Sequence, residues 1–249
     1  MNKLCGTLLM YKGEEFDYCY KEAIQCLLDF CDFVIVVAGG EDGTLEYVQS
    51  INHPLLKVIP LSKEEWDSQQ GKEKLNYFTN VAIQEADRMG FQYNVNLQGD
   101  EIIHEKSYES IRRAIATNQE AFMCTRVNLW GSPYTELNVP PERMPCSGQV
   151  IRLAKINYRS AGDAESINAP CVFDFVNEIK IWHMGFVRKS DVMKRKVIHM
   201  QEEVFKVDHD VKLDGSDVFL SERWFSKEEL KYINEPLPLI IQDWAKERR

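Results

Sequence analysis

Asp100, Glu101, His104 and Glu105 crowd into one short stretch, YNVNLQGDEIIHE. Carboxylates at the end of an apolar run suit a divalent cation. Mg²⁺ and Mn²⁺ prefer carboxylate oxygen and often keep only one or two protein carboxylates beside phosphate oxygens and water. On this reading Asp100 is a metal ligand, and Glu101 is a second ligand or orients water. Gly99 lets the backbone approach closely or turn left-handed. The other reading is helix capping. Asp100 then caps a helix, and Glu101 and Glu105 sit in its first turn, where the helix dipole favours negative charge. The stretch alone leaves both open.

Four other segments carry candidate chemistry. In VVAGGEDGTLE, Asp42 either caps the next helix or, with the backbone of Gly39 and Gly40, holds a nucleotide base or ribose. No GxGxxG and no GxxxxGK[ST] occurs, which argues against dinucleotide and P-loop chemistry. IKIWHMGFVRK ends an apolar run at His183, followed by Gly185 and Arg188. His183 is either a packed histidine or a neutral imidazole ligand beside Asp100. NYRSAGDAES brings Arg159, Asp163 and Glu165 into a polar loop. A carboxylate there is either solvated or a general base. The basic run Arg188, Lys189, Lys194, Arg195 and Lys196 is either a solvated helix face or a contact for a diphosphate or anionic acceptor. Trp66, Trp130 and Trp182 adjoin these segments and either pack in the core or stack on a sugar or base.

These groups need a scaffold, and the hydrophobic periodicity supplies one. Strands are expected at residues 4–11, 32–40, 55–61, 92–99, 121–131, 148–156 and 177–187. Helices are expected at 14–31, 41–51, 72–89, 105–118 and 190–206, with Ser190 or Asp191 as the cap of the last. Residues 131–148, rich in turn formers, read as a long loop, and a short helix is expected near 227–232. Strands alternating with helices predict an α/β/α sandwich with a mostly parallel central sheet. Ligands of such sheets bind outside the carboxyl ends of the strands. Asp42 and Asp100 both follow predicted strands and are expected to share one crevice.

Composition narrows the field. The chain has 249 residues, 44% of them hydrophobic, enough for a substantial core. A net charge of -9 gives no global attraction to nucleic acid or anionic membranes, although local basic patches remain possible. Seven scattered cysteines without a CxxC pair read as reduced thiols in a cytoplasmic protein, with Cys5, Cys26 and Cys31 as small core residues. No targeting segment is visible, and no apolar run approaches the roughly 20 residues that span a bilayer.

Taken together, the segments resemble family 2-type glycosyltransferases with the GT-A fold, in a small bacterial and phage subgroup. VIVVAGGEDGTLEYV resembles that subgroup's strand and Gly-containing turn. QGDEIIHE resembles its counterpart of the Asp-x-Asp motif, with Gln98 where many members carry the first Asp. VNLWGSPYTE is similar to its aromatic-Gly-Ser stretch, and HMGFVR to its H-x-G-aromatic-V-R segment. The match runs in order from about residue 4 to residue 200.

The resemblance implies a GT-A domain over 1–200, with a nucleotide-sugar half to about 130, an acceptor half over 131–200, and 201–249 as an extension packed on it. It implies that Gly39 and Asp42 help bind the nucleotide, and that Asp100, with Glu101 near it, binds Mn²⁺ or Mg²⁺ bridging the donor diphosphate. His183 is then a further metal ligand, Asp163 the base, and Arg188 the group that steadies the departing diphosphate. The implied reaction moves a hexosyl or pentosyl group from a nucleotide sugar, UDP-sugar foremost, to an acceptor hydroxyl with inversion. The acceptor would be a glycan, a lipid-linked sugar, a small molecule or a hydroxymethylated base in phage DNA. Two other classes remain. One is a nucleotidyltransferase, whose usual basic Gly-rich loop after the first strand is lacking in YKGEEFDYCYK. The other is a non-catalytic binding module.

Overall fold

Residues 33–39 show how this chain builds its centre. The run FVIVVAG forms β2 (Phe33–Gly39), flanked by β1 (Leu4–Tyr11) and β3 (Leu56–Leu61). Side chains of a strand alternate between faces. Val34, Val36 and Ala38 therefore enter one apolar cluster, and Ile35 and Val37 enter another on the opposite face. A continuous β-branched run is what a strand covered on both sides requires. Helix α1 (Tyr20–Phe30) packs on the first face. The second carries α3 (Lys63–Ser68) and α4 (Glu73–Arg88). Helix α2 (Thr44–Ser50) connects β2 to β3.

The computed structural model describes residues 2–143, 146–205, 225 and 227–248. Beyond β4 (Tyr93–Gln98) come β5 (Glu101–Ile103), α5 (Tyr108–Ala116), β6 (Ala121–Trp130), β7 (Ser132–Leu137) and β8 (Gln149–Lys155). A small hairpin, β9 (Arg159–Ala161) and β10 (Ser166–Asn168), precedes β11 (Lys180–Phe186) and α6 (Ser190–His199). Helix α6 passes into a π-helical turn at Met200–Phe205. Strand β12 (Leu230–Tyr232) and α7 (Gln242–Lys246) end the described chain. The main sheet runs β12-β7-β6-β8-β4-β1-β2-β3, with β11 beside β6 and β5 beside β11. Only β5, β7 and β8 oppose the direction of its other strands. This is the expected α/β/α sandwich with a mostly parallel sheet.

Several elements depart from expectation. The helix predicted from residue 14 starts at Tyr20. Lys12 and Asp17 have φ of 57° and 52°, and Gly13 N donates to Thr44 Oγ1 at 2.7 Å, so residues 12–18 fold as a loop against α2. Phe16 is buried there and mimics helical spacing. The loop expected at 131–148 contains β7, because Gly131 (φ 66°) turns the chain back onto β6; residues 144 and 145 lie outside the described residues. Strand β5 (Glu101–Ile103) was not expected, and the helix expected over 105–118 opens with a 3-10 turn (Glu105–Ser107) before α5 (Tyr108–Ala116). Helix α6 begins after Lys189 without a side-chain cap, so neither Ser190 nor Asp191 caps it. Near 227–232 the chain forms a 3-10 turn and β12 rather than a helix, and residues 206–224 of the tail lie outside the described residues. Helix α3 was unforeseen, although Ser62 and Glu65 form a reciprocal capping box there.

Candidate active site

Strand β4 ends at Gln98, and the next two residues turn toward β5. The Met10 side chain packs directly on Gly99, where a Cβ would stand 2.4 Å from Met10 Sδ. That close approach sets Asp100 at the carboxyl end of the parallel strands. No helix starts at Asp100, which removes its capping role. Strand β11 runs antiparallel to β5, and Met184 N donates to Asp100 O at 2.7 Å. His183 is thereby brought to Asp100, with His183 Nε2 3.8 Å from Asp100 Oδ1.

The proton on His183 follows from its other nitrogen. Asn128 Nδ2 donates to Cys146 O at 3.1 Å, which turns Asn128 Oδ1 toward His183 Nδ1 at 2.9 Å. This network assigns the hydrogen to Nδ1 and leaves a lone pair on Nε2. Burial pushes the imidazole down to about 4, against the raising pull of Asp100, so it is neutral at pH 7. Two acceptors therefore face one another across a short gap. That donor set suits a hard divalent cation, with Asn128 orienting the imidazole from behind. Gly185 keeps the gap open, since a Cβ there would lie 2.3 Å from His183 Nε2 and 3.2 Å from Asp100 Oδ2. No cluster of three or more His, Cys, Asp or Glu side chains with metal-holding geometry occurs among the described residues. The protein would furnish two ligands, and phosphate and water the remainder.

Two cations also converge on Asp100. Lys196 Nζ lies 3.3 Å from Oδ2, and Arg188 Nη2 lies 3.9 Å from it. Burial raises the Asp100 carboxyl, but Lys196, His183 and Arg188 outweigh it and hold the group down at about 2. Burial and the neighbouring Arg188 lower the Lys196 ammonium to about 8, against the pull of Asp100. Arg188 is fixed by donating to Phe16 O at 2.7 Å and lies over the Tyr18 ring at 4.7 Å. The basic run thus divides. Arg188 and Lys196 turn inward to Asp100, whereas Lys189 and Arg195 are exposed and Lys194 is half-buried.

Asp100 and His183 line a cavity of about 510 Å³. Tyr11, Phe16, Trp66 and Leu75 also line it, α6 and the π-helical turn supply Met193, Lys196, Val197, Met200 and Val204, and Asp163 is among the lining residues. Trp66 stacks on Tyr11 with ring centroids 4.1 Å apart, and like Trp130 and Trp182 it is a core residue. Asp163 sits between Gly162 and Ala164, both at φ 64°, in the β9–β10 turn.

Glu101 takes a different course. It is fully buried, accepts from Arg152 Nη2 at 2.7 Å and Gln98 N at 3.0 Å, and stands 3.5 Å from Arg126. Arg152 also donates to Ala164 O at 2.9 Å, and Arg126 pairs with Glu165. Glu101 thus secures the turn that carries Asp163. His104 and Glu105 hold the C-terminal segment through Pro236 O and Leu239 N at 3.2 Å each.

Gly39 and Asp42 do not line the cavity. Gly39 passes close to β3, where a Cβ would meet Leu61 O at 2.3 Å. Asp42 accepts from Glu15 N at 2.8 Å and Thr44 N at 3.1 Å, tying the 12–18 loop to α2. Asn128, Arg126 and Arg152 escaped the sequence reading. Their signal was present: polar and charged residues inside apolar strand runs, RVNLW and QVIRLA.

The sequence matches no protein-family profile, and no curated protein matches it significantly. Among solved structures it is similar to S. aureus TarS, with a TM-score of 0.46 and 14% identity over 81% of this chain and 40% of that one. It thus spans about two-fifths of that protein's length. TarS 1–349 in complex with UDP gives a TM-score of 0.44 at 14% identity, over 81% of this chain and 66% of that one. A candidate glucose-1-phosphate thymidylyltransferase from Bacillus anthracis, in complex with sucrose, gives 0.37 at 11% identity over 80% and 81% of the two chains. Among the described residues no helix is long and apolar enough to cross a membrane.

Proposed function

We propose that this chain is a metal-dependent glycosyltransferase that moves a sugar from a nucleotide-sugar donor to an acceptor hydroxyl with inversion. The observation that carries the reading is the facing pair of lone-pair donors, Asp100 Oδ1 and His183 Nε2, 3.8 Å apart at the carboxyl ends of the strands. Asp100 and His183 would hold Mn²⁺ or Mg²⁺. When bound, the cation supplies charge neutralisation to a departing nucleoside diphosphate.

The remaining roles belong to this chain's own groups. Asp163, which lines the same cavity, takes the proton of the acceptor hydroxyl as its oxygen attacks the anomeric carbon. The bond from that carbon to the diphosphate oxygen breaks, and its electron pair leaves with the diphosphate. Arg188 contributes fixed positive charge beside that leaving group. Tyr11 and Trp66, buried and stacked on one another, add apolar lining to the cavity. Glu101 acts through Arg126 and Arg152 on the turn bearing Asp163.

A thermal-shift panel of UDP-, GDP-, dTDP- and CDP-sugars, each with and without Mn²⁺, tests the reading. A ligand bound only by the folded state raises its melting temperature. The expected result is a Mn²⁺-dependent rise with one nucleotide class and release of that nucleoside diphosphate in the presence of an acceptor. Equal shifts with and without Mn²⁺ would refute the metal role.

A further inference from the structure

We propose that Lys196 is a built-in cation that competes with the divalent metal for Asp100, so that metal enters only when the Lys196 ammonium leaves. The inference rests on the metal-site reading given above.

Lys196 Nζ donates to Gly185 O at 2.9 Å and stands 3.3 Å from Asp100 Oδ2. The same Gly185 is the residue whose missing side chain keeps open the gap between Asp100 and His183. The ammonium is therefore anchored at the edge of the donor set. The aromatic rings of Tyr18, at 4.7 Å, and Phe186, at 5.9 Å, complete its surroundings. The Lys196 side chain is only 12% exposed, so water screens little of its repulsion toward a second cation.

The two basic groups are held unequally. Arg188 donates to Phe16 O and Met184 O, backbone positions on two separate segments. Lys196 has one backbone anchor and a flexible four-carbon stem on α6, the helix that lines the cavity. Two positive groups, Lys196 and Arg188, stand around the single carboxylate of Asp100, a local excess of positive charge. A ligand with adjacent phosphate charges answers that excess and draws Lys196 off Asp100. Metal and diphosphate then bind together more strongly than either binds alone.

The test titrates Mn²⁺ alone into the full chain, with the free ion followed by electron paramagnetic resonance. Lys196→Met removes the charge and keeps the length of the side chain. It is expected to bind Mn²⁺ at least tenfold more tightly than the unaltered protein. Lys196→Arg, which keeps the charge, is expected to bind Mn²⁺ as weakly as the unaltered protein. Adding Asp100→Asn to Lys196→Met is expected to remove the gain. Equal Mn²⁺ affinity in Lys196→Met and the unaltered protein, both lost with Asp100→Asn, would overturn the competition and leave the metal site standing. No Asp100-dependent Mn²⁺ binding in any variant at millimolar metal would overturn both.

Discussion

Glu101 and Arg152 form a fully buried ion pair at 2.7 Å, one residue along the chain from the carboxylate that faces His183. Adjacent acidic residues therefore have separate tasks. Asp100 faces the cavity, and Glu101 joins two arginines to the turn that bears Asp163. The close pairing of donor-side and base-side groups in one dipeptide motivates the first prediction.

Glu101→Gln leaves the Arg126 and Arg152 charges without their buried partner. Breaking such a pair costs roughly 3–5 kcal/mol. Urea denaturation is expected to show a loss of that order, and turnover is expected to fall as the Asp163 turn loosens. Mn²⁺ affinity in the folded variant is expected to stay unchanged. A loss of Mn²⁺ binding without a loss of stability would make Glu101 a ligand instead.

Asp100→Asn keeps the shape of the side chain and removes its charge. Transfer is expected to fall roughly 10³-fold, the scale of losing one dominant electrostatic contact in a catalytic site. Circular dichroism is expected to remain that of the unaltered protein. Full turnover in a folded variant would remove Asp100 from the chemistry.

Gly185→Ala places a methyl group into the gap between His183 and Asp100. Mn²⁺ binding measured by calorimetry is expected to disappear while the protein stays folded. Undiminished binding would show that the metal lies elsewhere.

Asp163→Asn removes the proposed base without touching the Asp100–His183 pair. Turnover is expected to drop by about 10² to 10⁴, the range for a positioned general base. Donor binding followed by thermal shift is expected to persist. An equal loss of both would mark Asp163 as a structural residue.

The buried imidazole predicts a pH dependence. His183 falls from 6.5 to about 4 in the folded protein, with burial as its main cause. The unfolded chain therefore binds a proton below pH 6.5 that the folded chain refuses until about pH 4. The stability linked to His183 is fully present above 6.5 and is lost as pH falls through that window. At about 1.4 kcal/mol per pH unit the loss is roughly 3 kcal/mol. Denaturation midpoints between pH 7 and 4 are expected to fall less steeply in a folded His183→Asn variant. Identical slopes in the two proteins would contradict a neutral buried His183.

The sequence by itself determined the alternation of strands and helices and the position of Asp100 after a core strand. These are local properties. Period-2 and period-3.6 patterns report which face each segment buries, and VIVVA carries its double burial in five consecutive residues. It also determined that Asp100, Asp163, His183, Arg188 and Lys196 carry chemistry-bearing side chains. Tertiary structure decided which of them meet. Lys196 reaches Asp100 across 96 positions of sequence, and Asn128 reaches His183 across 55. Those meetings depend on β11 lying between β5 and β6. Strand order is set by long-range packing, which a single sequence read for periodicity does not encode. The same packing turned Asp42 to the 12–18 loop and Glu101 to its arginines, where residue type alone had offered both to the ligand.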